Sequence, residues 1–354
     1  MKICISTCCL WSSFGSVLQS LGLKKTLKKL GCDSYIVTCI KQKIKKPSIN
    51  SVKVKSIISY FLDVCIFPKR KKSFKKCNDF IKDNIDILYF DSIYDISCQN
   101  IEADAFLSGS DQVWHPQSCN PVFFLEFVDD NKKKLSYAAS MGDTNIPNEK
   151  LCFFEKNIKR YDFVSVREKE CSDVLKELTN KPISINIDPT FLCSSNEWRK
   201  YEKPYPLKGK FKKYILLFAI YWDEKFNCQL KELHKCTGLP VIAICSHFYN
   251  YYADKRIFDV GVDEFLWLVD NAEYIVTSSF HGVSFSIIFN KKFSAVVNPK
   301  TPSRINNLMD TLSVPKVEIN NLNITEEFNY FNINKKIIDE QEKSFLFLKR
   351  ALLE

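Results

Sequence analysis

Glycine is scarce in this chain, with 9 residues among 354, while phenylalanine reaches 28. That balance disfavours a loop-rich all-β fold and suits compact layered structure. Histidine is scarcer still, at 4 residues: His115, His234, His247 and His281. No uninterrupted apolar run reaches the roughly 18 residues a membrane-spanning helix needs. The patterns G-x-x-x-x-G-K-[ST], G-x-G-x-x-G, G-x-S-x-G and H-E-x-x-H are all missing. Several familiar phosphate, dinucleotide, hydrolase and zinc chemistries therefore have no local signature here. The 15 cysteines are odd in number and scattered, and no C-x-x-C occurs. They read as reduced thiols packed as small apolar residues, not as a disulfide framework or metal site. No metal and no resident cofactor are expected.

What is present points to a layered α/β chain. Its length exceeds the roughly 250–300 residues one core usually serves, so two domains are expected. Hydrophobic residues, at 45%, suffice to fill ordinary globular cores. Residues 2–7 read as a strand, not a signal peptide, because Gln19 and a Lys-rich helix stand where a small-residue cleavage site would be. A cytoplasmic chain is the expectation. Small residues at 12–16 follow, then a helical apolar spacing from Val17 to Leu30 that stops at Gly31. Residues 33–40 form a second predicted strand, completing the opening unit of a doubly wound sheet. Further strands are predicted at 103–108, 134–140, 163–166, 214–220, 241–245, 274–277 and 293–297. Helices are predicted at 228–237, 262–271, 282–289 and 337–353. The segment 196–211, with Trp198, Pro204, Pro206 and Gly209, breaks the alternation. It divides the chain into an N-terminal Rossmann-like domain (1–200), a C-terminal one (201–335) and a terminal helix (336–354).

The net charge of +10 is concentrated: residues 41–76 hold twelve Lys/Arg and one acid, Asp63. An apolar strip at 57–67 lies inside this basic insertion. Three readings stand: a solvated insertion packing its strip on its own domain, contact with an anionic membrane surface, or nucleic-acid binding. The absence of an RNA-binding motif or aromatic stacking set argues against the last. Lying against the inner face of the cell membrane is thus an alternative to a purely cytoplasmic location.

Three strand ends carry candidate chemistry. His281 follows the buried run Tyr274-Ile275-Val276-Thr277 and precedes Gly282. A histidine there can transfer protons near neutral pH, or simply cap its helix. Ser278 and Ser279 beside it, with the first amides of the next helix, suit an anion. In Ser108-Gly109-Ser110-Asp111-Gln112-Val113-Trp114, Asp111 can bind sugar hydroxyls or cap a helix. Trp114 can stack on a ligand or fill the core. Arg167 ends another strand and can grip carboxylate or phosphate, or pair with Glu168 or Glu170. Asp188-Pro189 reads as a helix-initiating turn.

Taken in order, these segments resemble the polysaccharide pyruvyl transferase family. The pieces are Gly15-Ser16-Val17-Leu18-Gln19, Ser108 to Trp114, Ser136-Tyr137-Ala138-Ala139-Ser140, Val164-Ser165-Val166-Arg167-Glu168, Ile187-Asp188-Pro189-Thr190 and Thr277-Ser278-Ser279-Phe280-His281-Gly282 with Phe285-Ser286. The resemblance implies two Rossmann-like domains facing a cleft, in a GT-B-like arrangement. It implies transfer of the enolpyruvyl unit of phosphoenolpyruvate onto two hydroxyls of one sugar, giving a pyruvate ketal and inorganic phosphate. The acceptor would be a bacterial-type surface polysaccharide (capsule or exopolysaccharide) or a lipid-linked precursor. On this reading His281 transfers the proton, Arg167 holds the donor's carboxylate or phosphate, and Asp111 orients sugar hydroxyls. Gly15 and Ser16 border the pocket, with Ser110, Ser278, Ser279 and Gly282 around the substrates. Family members carry an arginine two positions before the histidine, where this chain has Ser279. Lys291, Lys292, Lys300 and Arg304 are the candidate replacements, unless the donor differs. A nucleotide-sugar glycosyltransferase and a non-catalytic partner of a glycan-assembly complex are the competing functions.

Overall fold

The structure, a computed structural model, describes residues 1–10, 12–39, 57–99, 101–246, 251–297, 303–316 and 328–354. Residues 41–56 of the basic insertion, together with His247 and Lys300, lie outside the described residues.

The N-terminal half opens with β1 (Lys2–Ser6), α1 (Phe14–Lys29) and β2 (Asp33–Thr38). A long α2 (Ile57–Asn84) leads to β3 (Ile87–Tyr89), α3 (Ile93–Cys98), β4 (Ala105–Ser108) and β5 (Lys134–Ser136). α4 (Asn148–Ile158), β6 (Val164–Val166), α5 (Lys169–Lys176), β7 (Ile183–Ile185) and α6 (Ser195–Arg199) complete that half. The C-terminal half contains β8 (Ile215–Phe218), α7 (Glu224–Thr237), β9 (Val241–Ile244), β10 (Lys255–Ile257) and α8 (Val262–Asp270). It continues through β11 (Tyr274–Thr277), α9 (Phe280–Ile288), β12 (Phe293–Ala295), α10 (Ser303–Thr311) and α11 (Tyr330–Leu353).

Each half is built on a five-stranded sheet, β3-β2-β1-β4-β5 in one and β10-β9-β8-β11-β12 in the other. Every pairing in both is parallel. The two orders are the same pattern, with the chain reversing direction across the sheet between the first and fourth strand of each. In such sheets the crevice beyond the carboxyl ends of those two strands is the natural ligand position. The central strands are near-continuous apolar runs, as strands covered on both faces must be. Ile3, Cys4, Ile5, Ala105 and Leu107 are fully buried in one sheet, and Ile215, Leu216, Leu217 and Val276 in the other.

One hydrophobic cluster runs through both halves, joining Val17, Leu18 and Leu21 of α1 to Phe265 of α8 and Phe285 of α9. The segment 196–211 takes part: Trp198 is fully buried, and its Nε1 donates to the Thr190 carbonyl at 2.9 Å. α11 also touches both halves. Its Tyr330 hydroxyl donates to the Lys291 carbonyl, and Asn186 Nδ2 donates to Ser344 Oγ at 3.3 Å.

The later part of the basic insertion belongs to α2, and Ile66 of its apolar strip packs on the C-terminal half. Ile66 is buried with Leu217, Phe226 and Phe258 of the C-terminal half, whereas Cys77, Phe80 and Ile81 join the cluster that contains α1. The edge strands β3 and β10 were not anticipated, because each has only three residues and two of the three in β10 are charged.

Candidate functional site

The carboxyl ends of β1, β4, β8, β9 and β11 converge on a cleft of about 590 Å³. Two helices begin in its wall. α1 is capped by Ser13, whose side chain accepts from the Ser16 amide, and α9 by Ser279, whose side chain accepts from the Gly282 amide at 3.4 Å. Helix starts of this kind turn amides and partial positive charge toward a ligand.

His281 is the second residue of α9 and lies 7% exposed against this wall. Its Nε2 is buried without a hydrogen-bond partner and sits 3.8 Å from Asp188 Oδ2. That separation is electrostatic contact, too long for a hydrogen bond. The ring crosses from the C-terminal half onto α1 of the N-terminal half. A Cβ built on Gly15 would fall 2.0 Å from its Nδ1. Gly15 thus leaves room for the imidazole. Gly282 answers a different constraint, since a Cβ there would lie 2.1 Å from Thr277 Oγ1 of the preceding strand.

Asp188 holds the arrangement together. It is fully buried, and its Oδ2 accepts from Arg167 Nη1 at 2.7 Å and from Ser110 Oγ at 3.1 Å. Its Oδ1 accepts from the Thr190 amide at 3.0 Å and the Thr190 hydroxyl at 2.8 Å. Burial alone would raise its pKa. The neighbouring His281, the Arg167 guanidinium and the Thr190 amide outweigh burial and hold the carboxyl well below the usual carboxylate range. Asp188 is also the cap of the short helical turn Pro189–Leu192, so the helix-initiating reading of this dipeptide is correct but incomplete.

Arg167 is committed at two of its nitrogens, while its Nη2 is buried without a hydrogen-bond partner. Its Nε donates to Glu168 at 2.9 Å, its Nη1 serves Asp188, and its guanidinium lies 4.0 Å from the Phe280 ring centroid. It borders a small neighbouring pocket, outside the main cleft wall. Burial opposes its charge, but Glu168, Asp188 and Asp111 raise its pKa above the ordinary arginine value. The pairing with Glu168 was the alternative in the sequence. The pairing with Asp188 arises because β6 and β7 run parallel with Val166 beside Ile185, which brings the two strand ends together.

The remaining expected residues divide. Asp111 lines the cleft with a left-handed backbone (φ 76°), a conformation aspartate tolerates better than most residues. Its side chain accepts from the Gln112 amide at 2.9 Å. Ser279 lines the wall as a helix cap. Ser278 does not face the cleft: its hydroxyl accepts from the Ile220 and Tyr221 amides, both at 2.9 Å, and donates to the Tyr221 carbonyl. Ser16 reaches the wall, but its hydroxyl is engaged with Leu10 and Ser13, shaping the loop before α1. Ser110 is buried on Asp188. Trp114 is a core residue, fully buried and stacked on Phe124. Lys291 is turned away to the Asp270 carbonyl. Arg304, by contrast, lines the cleft from α10, with its Nε buried and unpartnered. Burial and then the charge of Arg167 lower its pKa.

A family model described as polysaccharide pyruvyl transferase matches residues 14–299. The chain belongs to that family. The match embraces the cleft-forming segments from Gly15 to His281. No curated protein matches the chain. Among solved structures, this polysaccharide pyruvyl transferase family member is similar to UDP-GlcNAc 2-epimerase from Methanocaldococcus jannaschii. The identity is 12% and the TM-score 0.53, over 95% of this chain and 91% of that one. UDP-N-acetylglucosamine 2-epimerase from Rickettsia bellii is similar at 11% identity and TM-score 0.52, over 99% and 96%. An alpha-glucosyltransferase solved with UDP and DNA follows at 11% identity and TM-score 0.51, over 98% and 95%. At such identities the likeness establishes the two-domain GT-B-like fold alone.

Sequence reasoning missed three contributors to this family member's site, two in the cleft wall and one behind it. Asp188 was seen only as a turn, although it stands in the ordered motif set. His115 and Arg70 line the wall, and no local pattern set either apart.

Proposed function

We propose that this family member moves the enolpyruvyl group of phosphoenolpyruvate onto a sugar of a surface polysaccharide or its lipid-linked precursor. The carrying observation is His281: buried, unpartnered at Nε2, beside an ionised Asp188, in the wall of a cleft that also holds Arg304. The donor's methylene carbon must gain a proton while its C2 gains a sugar oxygen. His281 delivers that proton, and Asp188 compensates the charge the ring carries when protonated. The first sugar hydroxyl adds to C2, and its proton restores the one His281 gave up. The second then displaces the phosphate from C2, closing the ketal, and its proton leaves with inorganic phosphate. Arg167 acts as a positioning residue: it fixes Asp188, which in turn faces His281. Arg304 takes the donor-anion role, and Asp111 meets the acceptor hydroxyls.

The test is acceptor-dependent phosphate release from phosphoenolpyruvate, over a panel of free and lipid-linked sugars, with mass analysis of the product. We expect a ketal-bearing product and a loss of about 100-fold or more in His281→Ala, the usual scale for a general acid–base group. Turnover of a nucleotide-sugar with no phosphate release from phosphoenolpyruvate sinks the reading.

A further inference from the structure

α2 is a strap between the two halves. Ile66 is buried in the C-terminal half, and further along Cys77, Phe80 and Ile81 belong to the cluster that both halves share. Between these anchors Ser73 Oγ donates to the Val260 carbonyl at 2.6 Å. Lys76 Nζ grips both oxygens of Glu264, at 2.6 and 2.7 Å, and the Asp259 carbonyl at 2.8 Å. Lys72 reaches Asp259 at 3.2 Å. Arg70 lies one turn before Ser73 on this fixed stretch, and both line the cleft.

Arg70 differs from Lys72 and Lys76 in lacking a partner, and from Lys69, Lys71 and Lys75 in lining the cleft. Lys72 and Lys76 have carboxylate partners, whereas the Arg70 side chain makes no ion pair or hydrogen bond among the described residues. Arg304 is in the same position on the α10 side of the cleft, with a buried, unpartnered Nε. Against these two guanidiniums the described wall offers one carboxylate, Asp111. Like charges gathered in a concave, partly apolar site raise the local concentration of the opposite ion, and guanidinium suits carboxylate and phosphate. Two such groups on different elements match one ligand with two anionic groups.

We propose that Arg70, delivered by the α2 strap, is a second anion-binding group of the donor site, acting with Arg304. Together they set a preference for a ligand bearing both a carboxylate and a phosphate. This rests on the phosphoenolpyruvate reading above and assigns the strap a part in substrate choice. The experiment is calorimetric binding of phosphoenolpyruvate, pyruvate and inorganic phosphate to the full chain, to Arg70→Ala, to Arg70→Lys and to the exposed control Lys69→Ala. Wild type should bind phosphoenolpyruvate more tightly than either single-anion probe. Arg70→Ala should weaken phosphoenolpyruvate about 10- to 100-fold, as loss of a charged hydrogen bond does. It should also erase most of the preference over inorganic phosphate. Arg70→Lys should recover part of the loss, and Lys69→Ala should match wild type. If Arg70→Ala binds phosphoenolpyruvate as wild type does, the assignment to Arg70 is overturned while the donor reading stands. If wild type binds no phosphoenolpyruvate, both fall.

Discussion

Gly15 and His281 stand far apart in the chain, yet the space one lacks is the space the other fills. A methyl group at position 15 would meet the imidazole at 2.0–2.6 Å, so either α1 or His281 must move. The conflict is overpacking, which usually costs about 1–3 kcal/mol. Its functional cost is larger, because a displacement of about 1 Å in a reacting group can lower a rate roughly 100-fold. Gly15→Ala should therefore fold with a slightly lower denaturation midpoint and lose most ketal-forming activity. Wild-type activity in Gly15→Ala would show that the ring position is not critical. Motif reading marked both residues but could not show that they touch. It could not show the partners of Arg167 for a related reason. A strand-end arginine looks the same whether its partner is a substrate or a second strand end. Only the β6–β7 pairing reveals Asp188 as that partner.

At the scale of elements, the buried parallel strands were legible because nothing polar interrupts them. α2 was not. Its lysines dominate the composition, and its buried positions, Ile66, Cys77, Phe80 and Ile81, are spread over a 28-residue helix with Pro68 inside. The helix is fixed to α8 chiefly by Lys76, whose partner Glu264 has a side chain only 5% exposed and also accepts from the Gly261 amide at 2.9 Å. Removing one member of such a pair leaves the other charged and dry, at a cost of roughly 3 kcal/mol. Lys76→Met should lower the denaturant midpoint accordingly. Lys69→Met, on the exposed side, should stay within about 0.5 kcal/mol of wild type. Equal behaviour of the two variants would mean that the Lys76–Glu264 contact does not hold the strap.

For the whole molecule, the repeated strand order explains why the cleft lies where it does: two switch points face one another, and the site is what lies between them. The same closeness appears in the core, which does not stop at the boundary between sheets. Composition favoured two separate cores on length alone, because counting residues cannot show how many side chains are shared. A shared cluster should make unfolding a single event. Tryptophan fluorescence, reporting from Trp114 on one side and Trp222 and Trp267 on the other, should change with helix content at the same denaturant concentration. Separated transitions would mean the halves are energetically independent.

His281 is carried by α9, but the groups that surround its ring, Gly15 and Asp188, are made earlier in the chain. During synthesis on the ribosome the socket emerges well before the residue that fills it. A chain that uses His281 as its proton carrier is therefore chemically silent while nascent, and its activity begins only once the second sheet has closed on the first.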